Sequence, residues 1–167
     1  SEVMEVLDKK NIKIKYIVLT HVHIDHVCYI DELREKTGAE VLVHENDGKK
    51  LLDPTLNGSE SFGRKMSFKP ADRLLRDGDE IDAGGVNFKI IHTPGHSSGC
   101  ICIKAENNLF TGDTLFKMAR GRTDLGDGNE SELLSSIKNK LMILDDKTVV
   151  YPGHGAATTI GAEKVFY

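Results

Sequence analysis

Residues Thr20–His26 read T-H-V-H-I-D-H and determine the interpretation of this 167-residue chain. They follow Lys15–Thr20, an apolar and β-branched run that is typical of a β-strand. His21 and His23 are two positions apart at the end of this strand, so they point to the same side with Cα atoms about 6–7 Å apart. Two imidazoles at that spacing can bind one metal ion at Zn–N distances of about 2.0–2.1 Å.

Asp25 and His26 indicate a second metal ion. They are adjacent in the chain at the point where a helix is expected to begin, so the backbone turns and directs them away from the first pair of histidines. Burying three histidines and an aspartate within six residues is costly without a metal or a counter-charge. One ion cannot easily accept all four side chains, and the sequence therefore predicts two.

Three further segments place a polar residue directly after a predicted strand. They are Thr93-Pro-Gly-His96, Thr111-Gly-Asp-Thr114 and Pro152-Gly-His-Gly155. A lone histidine such as His96 or His154 is more often a hydrogen-bonded structural residue, and a lone Gly-Asp after a strand is usually a turn. Their interpretation as metal ligands depends on their occurrence together with the Thr20–His26 stretch.

The pattern of apolar residues predicts a single α+β domain over residues 1–167, without repeats or linkers. Asp53–Pro70 is a long polar loop, which is usually functional or mobile. We expect helices at Glu2–Asn11, Val27–Lys36, Glu45–Leu52, Glu130–Leu144 and, in the tail, Gly161–Tyr167. We expect strands at Lys15–Thr20, Glu40–His44, Arg73–Leu75, Glu80–Ile81, Val86–Ile91, Cys100–Lys104, Leu109–Thr111 and Thr148–Tyr151.

Composition and charge argue against several classes of partner. The longest apolar runs, such as Tyr16–Leu19, are far shorter than the roughly 20 residues of a membrane span, and the sequence has no signal-peptide pattern. The net charge is −4 without a lysine or arginine cluster, which disfavours nucleic acid. Three cysteines, an odd number, fit a reducing compartment. We therefore expect a cytoplasmic protein that binds neither membrane nor nucleic acid.

Taken in order, the Thr20–His26 stretch, His96, Asp113 and His154 resemble the signature of the metallo-β-lactamase superfamily. The resemblance runs from about Lys13 to Lys164 and implies a four-layer αββα sandwich with the site at one sheet edge. The segments that resemble the glyoxalase II-like branch are Thr93–Gly99, Phe110–Phe116, Gly121–Asp124 and Tyr151–Gly155.

The resemblance also implies a ligand set for two divalent metal ions. The first ion would be held by His21, His23 and His96, the second by Asp25, His26 and His154, and Asp113 would bridge them. Zinc is the expected metal for histidine and carboxylate ligands, and iron and manganese are compatible with them.

The implied activity is hydrolysis of a small acyl compound by hydroxide held between the two metals, with Asp25 and Asp113 as the catalytic aspartates. A thioester is the expected substrate, because a thiol of pKa about 8.5 leaves without a general acid. By resemblance Arg122 faces the substrate, which suits recognition of a carboxylate. A solvated loop arginine is an equal alternative for this residue.

The chain departs from the family pattern in three places. The strands that normally precede the metal motif are missing, so either the chain is a fragment or another chain covers the open sheet edge, as in a homodimer. Val27-Cys28-Tyr29 stands where small glycines usually follow the last histidine of the motif. The chain also stops at Tyr167 without the helical domain that binds glutathione in true glyoxalase II, which disfavours glutathione thioesters.

Three alternatives remain open. Persulfide dioxygenases share the fold and resemble this chain at Gly121–Asp124; they would use one iron on His21, His96 and Asp113, a facial triad. That arrangement would leave Asp25, His26 and His154 unused. The second alternative is a non-catalytic chain that binds metal or a partner through its open sheet edge. A nuclease is the third, and the acidic balance and the lack of an inserted domain disfavour it.

Several other polar residues have weaker expectations. His44 and His92 are expected to be structural, although His92 is near enough to His96 to support it. Thr111 and Thr114 flank Asp113, and they either hydrogen-bond it or simply form the turn. Cys100 and Cys102 are expected to pack in the interior. Cys28 is expected to be structural, and a position near the site is its alternative.

Overall fold

The computed structural model describes residues 2–167, without the side chains of Glu2, Val3 and Asp8. The helices are α1 (Glu2–Lys10), α2 (Ile24–Val27), α3 (Ile30–Thr37), α4 (Glu130–Ser136) and α5 (Ile160–Glu163). The strands are β1 (Tyr16–Val18), β2 (Glu40–His44), β3 (Arg73–Leu75), β4 (Glu80–Ala83), β5 (Val86–His92), β6 (Ile101–Ala105), β7 (Asn108–Gly112), β8 (Leu115–Phe116), β9 (Ala119–Arg120), β10 (Val149–Pro152) and β11 (Thr158–Thr159).

The strands form two main sheets and one small hairpin. The first sheet has the order β1-β2-β3 with parallel neighbours. The second has the order β11-β10-β7-β6-β5-β4, and it is antiparallel except where β10 lies parallel to β7. Strands β8 and β9 pair with each other. The sheets are thus a small parallel one and a larger mixed one.

Alternation along the strands produces four layers. In β2, Val41 and Val43 pack with the helical residues Ile24, Val27 and Ile30, whereas Leu42 between them belongs to a different cluster. That second cluster joins the two sheets, since it also contains side chains from β3, β4, β5 and β6. The order from this side is therefore helix, small sheet, large sheet.

The fourth layer lies on the other face of the large sheet. Cys102, whose neighbours in β6 face the small sheet, packs with Leu109 of β7 and with Leu133 of α4. Ile137 and Leu141, in the π-helical turn Ile137–Leu141 that continues α4, complete this face. The predicted αββα order is confirmed.

The helices differ most from the prediction. The expected helix Val27–Lys36 is divided into α2 and α3, because exposed Tyr29 adopts non-helical backbone angles between them (φ −114°, ψ 10°). The expected helix Glu45–Leu52 is a turn followed by a 3₁₀ turn at Gly48–Leu52. The expected loop Asp53–Pro70 contains a 3₁₀ turn at Ser59–Phe62, and the tail has both α5 and a 3₁₀ turn at Lys164–Phe166. Across residues 2–167, no helix combines the length and the apolar character needed to cross a bilayer.

Candidate metal centre

The seven side chains that were predicted to bind metal lie together after the ends of strands from both sheets. His21, His23, Asp25 and His26 follow β1 of the small sheet. His96, Asp113 and His154 follow β5, β7 and β10 of the large sheet. The structure brings all seven into three overlapping groups, in each of which the ligand atoms lie within 4.8 Å of one another. The groups are His21, His23 and His96; His21, His26 and Asp113; and Asp25, His26 and His154.

The first group, His21, His23 and His96, is largely buried. His21 and His96 are buried, and His23 is half-buried. His23 Nδ1 lies 2.8 Å from His96 Nε2, and the rings of His21 and His23 are 4.8 Å apart at their centroids. Three imidazoles from two sheets therefore point at one small volume.

The exposed group lies beside it. His154 Nε2 is 3.1 Å from Asp25 Oδ2, and His26 Nε2 is 3.5 Å from the same oxygen. The side chains of Asp25 and His154 are 53% and 58% exposed, so this half of the centre is open to solvent. A molecule entering from solvent meets these two residues first.

Asp113 contacts both groups. Its Oδ1 lies 3.4 Å from His26 Nε2, while Oδ2 lies 3.6 Å from His154 Nε2 and 3.7 Å from His96 Nε2. Strand pairing explains this position, because Gly112 is opposite Pro152 and accepts a 2.8 Å hydrogen bond from Gly153 N. The parallel pair β7–β10 therefore delivers Asp113 and His154 to the same place.

Buried atoms without partners test whether the residues fit a metal. Within residues 2–167, the buried side-chain atoms that lack any hydrogen-bond partner are His21 Nε2, His26 Nε2 and Asp113 Oδ1. All three belong to the group His21–His26–Asp113. Because buried polar atoms are nearly always paired, an unpaired cluster of two imidazole nitrogens and a carboxylate oxygen is what a cation site requires. The side chains fit a metal.

The protonation tendencies agree with this fit. Burial, reinforced by the neighbouring His26, lowers the pKa of His21 well below its usual value, so its nitrogen lone pair is available. Burial acts to raise the pKa of Asp113, but His26 and the other histidines outweigh it and lower that pKa. The centre therefore presents an ionised carboxylate and a neutral imidazole at neutral pH.

A cavity of about 720 Å³ opens on the centre, and both aspartates and three of the histidines line it. Its other walls come from the loop before β3, which contributes Leu56 and Phe62, and from the loop after β9, which contributes Leu125. Both loops carry apolar side chains that are exposed to solvent. The cavity therefore has the seven-residue cluster on one side and apolar side chains at its rim.

Arg122 lines this cavity, but its side chain is already paired. Its guanidinium donates two hydrogen bonds to the Asp124 carboxylate, at 2.6 and 2.7 Å, and the side chain is 60% exposed. Its backbone carbonyl accepts a 2.7 Å hydrogen bond from His96 Nδ1. Sequence reasoning assigned a role to the side chain and did not identify this backbone contact.

The expectations for the neighbouring polar residues had mixed outcomes. Of the two alternatives for Thr111 and Thr114, the structure shows the turn, since Thr114 N donates to Thr111 O at 3.0 Å. Their hydroxyls do not bond Asp113, because Thr111 donates to Leu115 O and Thr114 pairs with Thr93. His92 does not contact His96 either, because its Nε2 faces Ser98 O at 2.8 Å while its ring stacks on His44. These side chains fix the strand ends and do not reach the centre.

Asp47 is the main residue that sequence reasoning missed. It is fully buried, and its carboxylate accepts hydrogen bonds from Val22 N and from Ser97 Oγ. Both donors are neighbours of metal-ligand candidates. An aspartate in a polar turn after a strand has no local signal that distinguishes it from a solvated one, so only the tertiary structure identifies it.

The chain matches known proteins along most of its length. The family model of the metallo-beta-lactamase superfamily matches residues 2–154. An uncharacterized protein of Mycobacterium tuberculosis is 42% identical, over 96% of this chain and 78% of its own. The probable metallo-hydrolase YqgX of Bacillus subtilis is 40% identical (89% and 72%). Hydroxyacylglutathione hydrolase GloC of Haemophilus influenzae is 36% identical (95% and 76%).

Solved structures agree with the sequence matches. The crystal structure of BLEG-1 B3 metallo-beta-lactamase superposes with a TM-score of 0.94 at 39% identity, covering 98% of this chain and 80% of that one. TTHA1623 in a di-iron-bound form gives 0.85 at 31% identity (98% and 81%). ETHE1 from Myxococcus xanthus gives 0.82 at 31% identity (98% and 65%). The fold is thus shared with these proteins over nearly the whole chain.

Proposed function

This chain belongs to the metallo-β-lactamase superfamily, and from that premise we propose that it is a metallo-hydrolase that cleaves acyl compounds, with thioesters as its substrates. The observation that carries the proposal is the meeting of seven potential ligands in three overlapping groups beside an open cavity. The names of two relatives, a probable metallo-hydrolase and a hydroxyacylglutathione hydrolase, support the hydrolytic reaction class.

We assign the ligands to two divalent cations. His21, His23 and His96 would hold one, Asp25, His26 and His154 would hold the other, and Asp113 lies against histidines of both groups. Zinc is our proposed metal on the basis of the donor types, and the di-iron form of TTHA1623 keeps iron as the main competitor. Two cations at this place would lower the pKa of bound water to about 7 and would offset the negative charge of a developing oxyanion.

The protein's own residues have separate roles at this centre. Asp113 is ionised and lies against His26, His96 and His154, so it fixes the separation of the two halves of the centre. Arg122 O holds the proton on His96 Nδ1, which leaves Nε2 with its lone pair directed inward. Asp25 and His154 form the solvent-exposed side, where an acyl carbonyl approaches.

The cavity walls support an apolar acyl group. Leu56 and Phe62 are 51% and 76% exposed, and a substrate that covers them removes apolar surface from water. The cationic side chains of the wall are already paired, since Arg120 bonds Glu130 at 2.8 Å and Arg122 bonds Asp124. A neutral apolar acyl thioester therefore suits this cavity better than a substrate with several carboxylates.

The alternative is the mononuclear iron persulfide dioxygenase reaction, and similarity to ETHE1 is its support. That reaction would use His21, His96 and Asp113. It would leave the close approach of His154 to Asp25 without a function, as well as the half-buried His26 between them. The presence of the whole exposed group, Asp25, His26 and His154, favours the hydrolase.

Metal analysis combined with turnover tests the proposal. Protein purified without added metal is analysed for metal content and is then assayed with thioesters, esters and lactones of increasing acyl length, with oxygen uptake recorded in parallel. We expect two metals per chain and hydrolysis of the thioesters. One iron per chain with oxygen consumption would establish the dioxygenase instead, and two metals without hydrolysis of any compound would refute the hydrolase.

We also propose a cytoplasmic location. Cys28, Cys100 and Cys102 are all free thiols in the structure. Free thiols are usual where the surroundings are reducing. Detection of the protein in a fractionated cell tests this.

A further inference from the structure

Asp47 is a buried carboxylate that lies outside the seven ligand candidates. It follows β2 and precedes the 3₁₀ turn Gly48–Leu52, a position at which aspartate commonly caps the first free backbone N–H groups. Its side chain makes no such capping bond. It is instead directed inward and is 0% exposed. This carboxylate therefore has a role other than capping the 3₁₀ turn.

One oxygen of Asp47 contacts both segments that carry the first ligand group. Oδ2 accepts a 3.0 Å hydrogen bond from Val22 N, and Val22 lies between His21 and His23. The same oxygen accepts a 3.0 Å hydrogen bond from the hydroxyl of Ser97, the residue after His96. These two segments are separated by about seventy residues in the chain and follow different sheets. Asp47 is thus a direct polar link between them.

The charge of Asp47 is balanced inside the protein. Lys50 Nζ lies 2.7 Å from Asp47 Oδ1 and 2.7 Å from Asp127 Oδ2. Burial acts to lower the pKa of Lys50, but the two carboxylates outweigh it and raise that pKa. An apolar replacement for a buried ion pair is often equally stable, so stability alone does not account for this one.

Local packing is adapted to this carboxylate. A Cβ atom at Gly99 would lie 2.3 Å from Asp47 Oδ1 and from Asp47 Cγ. Glycine at position 99 therefore leaves the space that the carboxylate occupies.

We propose that Asp47 is a positioning residue for the first metal site. It holds the Val22 and Ser97 segments at the separation at which His21, His23 and His96 face one another. This inference rests on the proposed metal-dependent function. It adds a residue whose effect is transmitted through the ligands, since Asp47 itself lies behind them and outside the cavity wall.

The test compares Asp47→Asn with Glu163→Gln. Glu163 is the matched control, because it is also a buried carboxylate that accepts one backbone N–H (Met118, 2.9 Å) and one hydroxyl (Thr158, 2.7 Å). Metal-free samples of both variants and of the unaltered protein are titrated with Co²⁺, and the visible absorption of bound Co²⁺ is recorded. Their unfolding temperatures are measured without metal. Loss of a ligand-orienting hydrogen bond typically weakens metal binding about 10- to 100-fold.

We expect Asp47→Asn to weaken one of two Co²⁺ sites by about 10- to 100-fold and to change its absorption spectrum, whereas Glu163→Gln changes neither. Equal affinities and spectra in Asp47→Asn and the unaltered protein would overturn the inference. If Asp47→Asn does not fold, Ser97→Ala takes its place, because it removes one of the two links and keeps the ion pair. Unchanged Co²⁺ affinity in Ser97→Ala would then overturn it. If the unaltered protein itself binds no metal, the proposed function fails first.

Discussion

His96 Nδ1 lies 2.7 Å from the backbone carbonyl oxygen of Arg122. This contact places the proton of the neutral ring on Nδ1 and leaves Nε2 as the nitrogen that faces His23 and Asp113. The bond comes from the peptide backbone, so a change of the Arg122 side chain leaves it in place. Mutation of Arg122 can therefore test its side chain without removing the backbone contact to His96.

Arg122→Ala should keep the metal content of the unaltered protein, because the carbonyl that orients His96 remains. The exposed guanidinium is paired with Asp124, so we expect KM to change by less than about fivefold. Metal analysis and steady-state kinetics measure the two effects. Asp124→Ala is the companion variant, because it frees the guanidinium and should improve kcat/KM for thioesters that carry a carboxylate. Loss of metal in Arg122→Ala would contradict the backbone assignment.

Asp113→Ala should remove metal and hydrolysis together. Asp113 is the acidic side chain that contacts histidines of both ligand groups, and its removal leaves those histidines without a shared counter-charge. We expect at least about a 10²-fold loss of turnover, the scale of a lost electrostatic stabiliser. Elemental analysis and a thioester assay give the answer. Normal turnover with two bound metals would show that Asp113 is not a bridging ligand.

Gly121→Ala should damage the centre through packing alone. A Cβ atom at this position would lie 1.9 Å from the backbone oxygen of Asp113, and neither group can move without shifting the strand end. We expect a loss of about 1–3 kcal/mol in the free energy of unfolding, together with weaker metal binding. Gly48→Ala is the control, because its Cβ would come too close to the flexible end of Leu74 alone, at 2.8 Å, and would touch Val43 at an ordinary 3.9 Å. Urea unfolding of the metal-free variants measures the difference. Equal losses of unfolding free energy in the two variants would rule out the clash with Asp113 as the cause.

Phe62→Ala should reduce kcat/KM for long acyl thioesters and leave acetyl thioesters nearly unchanged. Phe62 lines the cavity and is 76% exposed, so a long acyl chain can bury it. Partial burial of an aromatic ring corresponds to about 1 kcal/mol, or about a fivefold effect. Ile143→Ala is the matched control, since Ile143 is 74% exposed and lies outside the cavity wall. An equal effect on both chain lengths would exclude an acyl-binding role for Phe62.

The stability of the metal-free protein should fall between neutral and acidic pH. Burial, together with the stacked His92, lowers the pKa of His44 below its unfolded value of about 6.5. The unfolded chain therefore binds more protons in that window, so the contribution of His44 is complete above pH 6.5 and is lost as the pH decreases towards the folded pKa. In His44→Gln, unfolding curves recorded from pH 8 to pH 5 should show a shallower decline. An unchanged slope would show that His44 does not contribute to this pH dependence.

Short-range patterns predicted the strands well and the helices less well. Glu40–His44 and Arg73–Leu75 match β2 and β3 at both ends, because β-branched and apolar residues there are bounded by turn residues. The two-residue strands β8, β9 and β11 were missed, since a pair of residues carries no period. The fold class followed from the resemblance to the family.

The candidate site could also be predicted only in part. The seven ligand candidates could be named because histidines and aspartates after four strands form a series that resembles the family signature, and the structure brings them together. Their role as ligands is still a prediction. Asp47, the carbonyl of Arg122 and the partners of Thr111 could not be anticipated, because each depends on segments that meet only in the folded chain.

The ligand candidates come from both sheets, four after β1 of the small sheet and three after strands of the large one. Bound ions would therefore fasten one half of the molecule to the other, and their binding energy would count towards folding. A cell deprived of metal would then hold this protein in a loosened form that proteases cleave sooner. Its abundance would follow the metal supply even while its synthesis stayed constant.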